Sequence, residues 1–397
     1  MMAARRALRP RGEAPPRWGA MLRRNLVTVA GVAIAGLFAA TAAAQPASPR
    51  PKMVADAALQ GPPAWAAALD RRLRAVDARL SGEIGVYVQR LDDDATWGLR
   101  ADESWYLASG VKVPIAIAVL REIEQGWLTL DTQVALRDDD FVDGAGGTNA
   151  HRAGARLPIA YLLEEMIVHS DNTASDVLIR TVGLGQVNAV AAELIAAQGV
   201  RITTLSDVRR RAYGMLHPAA AGLSSQDLLA LQRAGPGQAR VRRLADLLDV
   251  PASDFLLPDL DSAFESYYAT HVNSATLRDY GRMLAALQRG QALDPAGTRQ
   301  LLGLMARVQT GTRRIRAGLP PGTRFAHKTG TQYRRLCDSG IATLPGAPAH
   351  PAIDVVIVAC VRGADTQAGE RALREIGAAV AAAKIPSAAA PPPEVHR

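Results

Sequence analysis

Of the 46 basic residues in this chain only four are lysine, at positions 52, 112, 328 and 384, and the two central ones fall in short polar motifs. The first motif is Ser109-Gly110-Val111-Lys112. At helical spacing Ser109 and Lys112 share one face. A serine hydroxyl is a poor nucleophile until a base takes its proton, and a lysine amine whose pKa is lowered by burial among positive groups can be that base. Arginine cannot give up its proton, so a lysine kept in a chain that otherwise uses 42 arginines points to proton transfer. The start of a helix adds backbone N–H groups that favour negative charge beside Ser109. Alone, a Ser three residues before a Lys arises about once per chain by chance. The scarcity of lysine is what sharpens it.

Ser170-Asp171-Asn172 follows 61 residues later, between two helical stretches. Its serine can pass a proton between Lys112 and a leaving nitrogen, and the Asn172 amide offers a donor and an acceptor to a substrate amide. Taken singly, the tripeptide is an ordinary helix cap. His327-Lys328-Thr329-Gly330-Thr331 reads as a strand. A lysine and two hydroxyls on a strand edge, with Gly330 leaving room for a ligand, make a ledge for a carboxylate. The backbone N–H groups of Thr331 and Ser109 would form an oxyanion hole. Singly this too has a plain reading, a sheet edge protected by a lysine. Each tripeptide is expected by chance on the order of one chain in ten or less, and all three motifs occur together, in order.

Both ends of the chain are mixed and the middle is helical. Ala64 to Leu80 has helical periodicity, Gly82 to Leu91 alternates as a strand, and a turn at Asp92-Asp93-Asp94 leads to a second strand through Trp97 and Leu99. Helices are expected at 114–125, 159–169, 173–182, 185–198, 225–231, 239–248, 274–289 and 295–308, then strands at 324–332, 336–344 and 353–362 and a closing helix at 367–384. The economical architecture is α+β: an antiparallel sheet built from 63–108 and 310–384, covered by the first and last helices, with an all-α unit, 109–309, inserted between. Residues 214–263 look like additional material within that unit. A small-molecule site is expected in the cleft where the two units meet.

With 397 residues and 48% hydrophobic content the chain can fill such a core. The formal charge of +8 does not indicate nucleic acid, because residues 1–44 carry seven arginines against Glu13 and the remainder is only +2. Arg23 and Arg24 precede the apolar run Leu26 to Ala40 and the small residues Ala42-Ala43-Ala44, which predicts a signal peptide over 1–44. The twin-arginine reading of this leader lacks the full consensus. An uncleaved anchor is the alternative, and either places the rest in the periplasm or beyond. Residues 45–62 form a Pro/Ala linker, and 385–397, also rich in Ala and Pro, are expected to be disordered. Cys337 and Cys360 flank a Pro/Gly-rich turn and would face each other across a hairpin; a disulfide and two separate thiols are equally open readings. Two cysteines do not make a metal site, and neither a metal nor another cofactor is implied. A monomer is the favoured state.

From Ala64 to Lys384 the chain resembles the serine β-lactamase and penicillin-binding superfamily, most of all class A β-lactamases, in its Ser-x-x-Lys, Ser-Asp-Asn and Lys-Thr-Gly motifs. The resemblance implies a three-layer fold. It makes Ser109 the acylated serine, Lys112 its base, Ser170 a proton shuttle, Asn172 an amide binder, and Lys328, Thr329 and Thr331 carboxylate binders. The substrate would be a β-lactam or a peptidoglycan peptide. One element departs from the pattern. The family's Glu-x-x-Leu-Asn motif, whose glutamate holds the hydrolytic water, is missing, and in the segment VRITTLSDVRRRAY (200–213) Arg209 stands about where that glutamate belongs. Another placement, ending at Asn273 to Thr276, makes Glu265 or Asp261 the nearest acid, with neither at the right spacing. Arg334 and Arg335 are candidates for a second carboxylate-binding cation. A β-lactam hydrolase is the leading expectation, with a D,D-peptidase or penicillin-binding esterase, or a non-catalytic β-lactam or muropeptide sensor, as alternatives.

Overall fold

A computed structural model describes residues 64–195, 200–345 and 351–385. The leader, the linker, the C-terminal tail and the tip of the Pro/Gly-rich turn lie outside the described residues. From the N-terminal side, α1 (Ala64–Arg79) leads into β1 (Glu83–Arg90), β2 (Thr96–Leu99) and β3 (Ser104–Tyr106), and a 3-10 turn, Ala108–Val111, runs into α2 (Lys112–Glu124). The middle holds β4 (Gln133–Ala135), β5 (Arg156–Pro158), α3 (Ile159–Glu164), α4 (Asn172–Val182), α5 (Leu184–Leu194), α6 (Leu205–Gly214), α7 (Ser225–Arg233) and α8 (Gln238–Leu248). It continues through α9 (Leu260–Tyr268), β6 (Ser274–Thr276), α10 (Leu277–Gln288) and α11 (Pro295–Ala306). Last come α12 (Ile315–Gly318), β7 (Arg324–Gln332), β8 (Arg335–Leu344), β9 (Ile353–Arg362) and α13 (Thr366–Ala382).

Strands from both ends of the chain make one antiparallel sheet in the order β2-β1-β9-β8-β7. Its central strand β9 shows why the sheet must be covered on both faces. Val356, Val358 and Cys360 point into the core shared with the helical layer, and Val355, Ile357, Ala359 and Val361 into the core under α1 and α13. That two-residue alternation of two apolar sets, one per face, is the pattern of a strand in the middle layer of three. The α+β fold class is therefore as expected. At the far edge of the sheet, β7 is left with one side unpaired. Within the helical layer α2 is buried along its first nine residues, Lys112 to Leu120, and this makes it the shaft around which the other helices pack.

Three expectations about elements need correction. The helix expected from Ser274 begins only at Leu277, because Ser274–Thr276 pairs with Ser104–Tyr106 as a strand and Thr276 then caps α10 by accepting from the Asp279 N–H. α6 and α9 lie outside the helices named from the sequence; each starts on a side-chain cap, Thr204 and Asp259 respectively. The helix expected over 185–198 starts one residue earlier, at Leu184, and ends at Leu194.

Candidate active site

Ser109 sits on the 3-10 turn, half-buried, just after Ala108, whose φ of +48° is a left-handed conformation uncommon for a residue with a Cβ. Several contacts hold that turn. The Leu107 N–H donates to the Asn273 carbonyl at 3.0 Å, and the Tyr280 hydroxyl donates to the Gly110 carbonyl at 2.9 Å. β7 presses against the turn from the other side, where a Cβ on Gly330 would come within 2.4 Å of the Leu107 carbonyl oxygen. Gly330 is thus required for the close approach of β7 to the turn that carries Ser109.

The two lysines meet on Ser170. Lys112 Nζ donates to the Ser170 carbonyl at 2.6 Å, Asn172 Oδ1 at 2.7 Å and Ser170 Oγ at 3.3 Å, and Lys328 Nζ donates to the same Oγ at 2.9 Å. Both amines are buried. Ser170 reaches them because a turn of π-helix, Glu165–His169, ends on Ser170 itself at φ +63°, while Asp171 caps α4. A glycine-rich loop clasps the tripeptide. Asn172 Nδ2 donates to the Asp143 carbonyl at 2.7 Å, Asp171 Oδ2 accepts from the Thr148 N–H at 2.8 Å, and a Cβ on Gly144 or Gly146 would collide with the side chain of Asn172 or Asp171.

Desolvation dominates the electrostatics. It lowers the Lys112 amine to about 7, with Arg209 adding to the shift while Asp171 and Asp176 oppose it. Burial, then the charges of Lys112 and Arg314, push the Lys328 amine well below its ordinary value against the pull of Asp338. An amine near 7 is neutral in a large fraction of molecules at neutral pH, as a base must be. Among the described residues none of Lys112's side-chain hydrogen bonds goes to Ser109. The hydroxyl is left free to point toward the amine or toward a substrate, and in unliganded sites such bonds often tighten only when substrate is bound.

Beyond the lysines, Thr329 Oγ1 lies 2.5 Å from Thr310 Oγ1, and Arg314 donates to Thr331 Oγ1 at 2.7 Å and to the Gly330 and Cys337 carbonyls. Arg314 is the cation that reaches the end of the ledge, and sequence reasoning misses it; among 42 arginines nothing marks one as buried. Arg334 and Arg335 are engaged elsewhere. Arg335 pairs with Glu265 at 2.6 Å over the Tyr268 ring, and the Arg334 guanidinium donates to the Gly363 carbonyl. Glu265 is accordingly tied to Arg335, and Asp261 lies beside the Tyr333 hydroxyl, so neither joins the lysine cluster. The carboxylates that act on Lys112 are Asp171, bound to the N–H groups of Thr148 and Ala174, and Asp176, bound to those of Leu205 and Ser206 and raised by burial to about 6. Cys337 and Cys360 are register partners on β8 and β9, joined by a disulfide.

A family model described as "Beta-lactamase enzyme family" matches residues 68–383, which takes in every element described above except the first residues of α1. The chain belongs to the β-lactamase enzyme family. A β-lactamase from Streptomyces albus G is 27% identical over 70% of this chain and 73% of its own. Among solved structures, one named PBP-A has a TM-score of 0.59 at 21% identity, covering 79% of this chain and 95% of that one. A β-lactamase from Sphaerobacter thermophilus has a TM-score of 0.57 at 24% identity over 80% and 96%. Arg209, on α6, pairs with Asp143 at 2.6 Å and sends positive charge toward Lys112.

Proposed function

We propose that this protein opens β-lactam rings through an ester on Ser109. The observation that carries the reading is the single hydroxyl, Ser170 Oγ, shared by two buried amines of which one lies a helical turn from Ser109. Neutral Lys112 takes the Ser109 proton as Oγ attacks the ring carbonyl. The carbonyl oxygen, now negative, is held by the backbone N–H groups of Ser109 and Thr331. As the C–N bond breaks, the proton on Lys112 passes through Ser170 to the leaving nitrogen, which leaves Ser109 acylated and the amine neutral again. Lys328, Thr329, Thr331 and Arg314 bind the substrate carboxylate. Asn172 spends its oxygen on Lys112 and one N–H on Asp143, so its second N–H is the group available to the acyl side of the substrate.

Release of the acyl group is the slow step in this reading. The carboxylates that act on Lys112 are bound by backbone N–H groups, and Arg209, paired with Asp143, adds positive charge to the same surroundings. The same observation favours a second reading, a D,D-peptidase or penicillin-binding esterase whose natural acyl acceptor is not water. A point variant of PBP-A has been solved as an acyl-enzyme with penicillin G, and that likeness in fold supports the reading of an ester here. Incubating the mature protein with a labelled penicillin and a chromogenic cephalosporin decides. Labelling that Ser109→Ala abolishes supports the Ser109 ester; turnover separates the hydrolase from the second reading, and D-Ala release from a peptide ending in D-Ala-D-Ala supports the latter. Neither labelling nor turnover would remove the proposal. Export through the leader belongs to it too, and an N-terminus of the secreted protein near Gln45 is the expected sequencing result.

A further inference from the structure

The proposed acyl-enzyme leaves unexplained why a guanidinium stands beside the amide-binding asparagine. A continuous line of hydrogen bonds leads from the lysine to it. Lys112 Nζ donates to Asn172 Oδ1 at 2.7 Å, Asn172 Nδ2 donates to the Asp143 carbonyl at 2.7 Å, and Arg209 Nε donates to Asp143 Oδ1 at 2.6 Å. Asp143 uses only the Nε of Arg209. The two terminal nitrogens bond to no described residue, and they are not among the sealed polar atoms of the structure, so they reach solvent. The Arg209 side chain is nevertheless only 14% exposed, and its charge acts on Lys112 and Tyr106, the residues on either side of the Ser109 turn. Asp176 fixes the element that carries it, by accepting the first N–H groups of α6 from Leu205 and Ser206. The loop that holds Asp143 is glycine at 144, 146 and 147, and its Gly144 and Gly146 lie directly against the side chains of Asn172 and Asp171.

From this geometry we infer that Arg209 is a specificity-determining residue that selects acyl donors carrying a second carboxylate, on the acyl side of the scissile bond. The first carboxylate goes to the ledge at Lys328, Thr329 and Thr331. The second meets the two free N–H edges of a planar guanidinium, the geometry that binds a carboxylate two-pronged. The inference deepens the Ser109 reading and rests on it.

Benzylpenicillin and carbenicillin differ by one carboxylate, on the acyl side chain, and make the test. The second-order rate of labelling is measured for both on the mature wild type, Arg209→Gln, Arg209→Lys and, as a control, Arg211→Gln, an exposed arginine on the same helix. The carbenicillin-to-benzylpenicillin ratio is expected to be about tenfold higher in wild type than in Arg209→Gln. The comparison is between proteins, so the intrinsic reactivity of the two drugs and any change in Lys112 basicity cancel. Arg209→Lys, which keeps the charge and loses the fork, is expected to fall between them and keeps the test usable should Arg209→Gln not fold. A ratio unchanged by either substitution, or one lowered as much by Arg211→Gln, overturns the inference and leaves the Ser109 ester standing. Failure of both penicillins to label wild type would instead sink the ester itself.

Discussion

Replacing Lys112 by methionine keeps the length of the side chain and removes its titration. In the folded protein the amine titrates at about 7 against an ordinary 10.5, because desolvation and Arg209 outweigh Asp171 and Asp176. Between those two pH values the unfolded chain holds a proton that the folded chain has released. The group's opposition to folding is therefore complete below about pH 7 and fades as pH rises toward 10.5. Across that window each pH step of one contributes about 1.4 kcal/mol, and somewhat less close to pH 7, so raising the pH from 7 to 9 should stabilise wild type by about 2 kcal/mol relative to Lys112→Met. The variant also strands the Ser170 carbonyl and Asn172 Oδ1, at a cost of roughly 1–3 kcal/mol per buried group that does not depend on pH. The slope with pH is therefore the readout, not the stability at one pH. Urea unfolding of both proteins at pH 7, 8 and 9, with equal m values, gives it directly. Two parallel lines would mean that the amine stays charged in the folded state, and Lys112 would no longer be credible as the base. The same neutral amine requires the labelling rate of wild type to rise through about pH 7 and level off above it.

Ser170→Ala should leave the fold intact and slow labelling by about a hundredfold or more, since it removes the hydroxyl that joins the two amines; a near-normal rate in stopped-flow labelling would show that the proton takes another route. Gly330→Ala places a Cβ 2.4 Å from the Leu107 carbonyl, so β7 and the Ser109 turn must part; a loss of roughly 1–3 kcal/mol in urea and a collapse of labelling are expected, and wild-type values for both would refute the close packing. The double variant Cys337→Ser, Cys360→Ser opens a 23-residue separation and should lose about 3 kcal/mol by denaturant unfolding, whereas wild type should lose the same on reduction.

How much of this is legible in the sequence depends on whether a residue's role is written in its neighbours or in its distant contacts. β9 can be read because both its apolar sets lie within one decapeptide. The lysine motifs can be read because lysine is rare in this chain, which turns an otherwise weak pattern into a choice. Ser274–Thr276 reads as helical because its strand partner, Ser104–Tyr106, is 170 residues away. α6 carries three successive arginines that blur its apolar face, and one of them, Arg209, turns inward to Asp143. Arg334 and Arg335 draw notice by proximity to the Lys-Thr-Gly strand, but the β7–β8 turn carries them away from it, and Arg314 arrives instead from the chain before β7. Sequence distance misleads in a hairpin, where the next residues leave and the opposing strand returns.

The charges around Lys112 bear on how an ester at Ser109 would be released. A carboxylate close enough to activate water against the Ser109 ester would lie close enough to Lys112 to stabilise its charged form, as Asp171 and Asp176 already do at longer reach. A site that uses that acid for release must therefore surrender some of the neutral amine that acylation needs, or let the acid share the work of deprotonating the serine. Arg209 acts on Lys112 in the opposite sense. The cation helps keep Lys112 neutral and pairs with the loop carboxylate Asp143. Formation of the ester and its removal thus draw on opposite signs of charge at one point beside the amine. On the proposed Ser109 mechanism, an arginine at that point favours forming the ester over breaking it, unless the acyl acceptor brings its own base or an incoming amine serves as nucleophile.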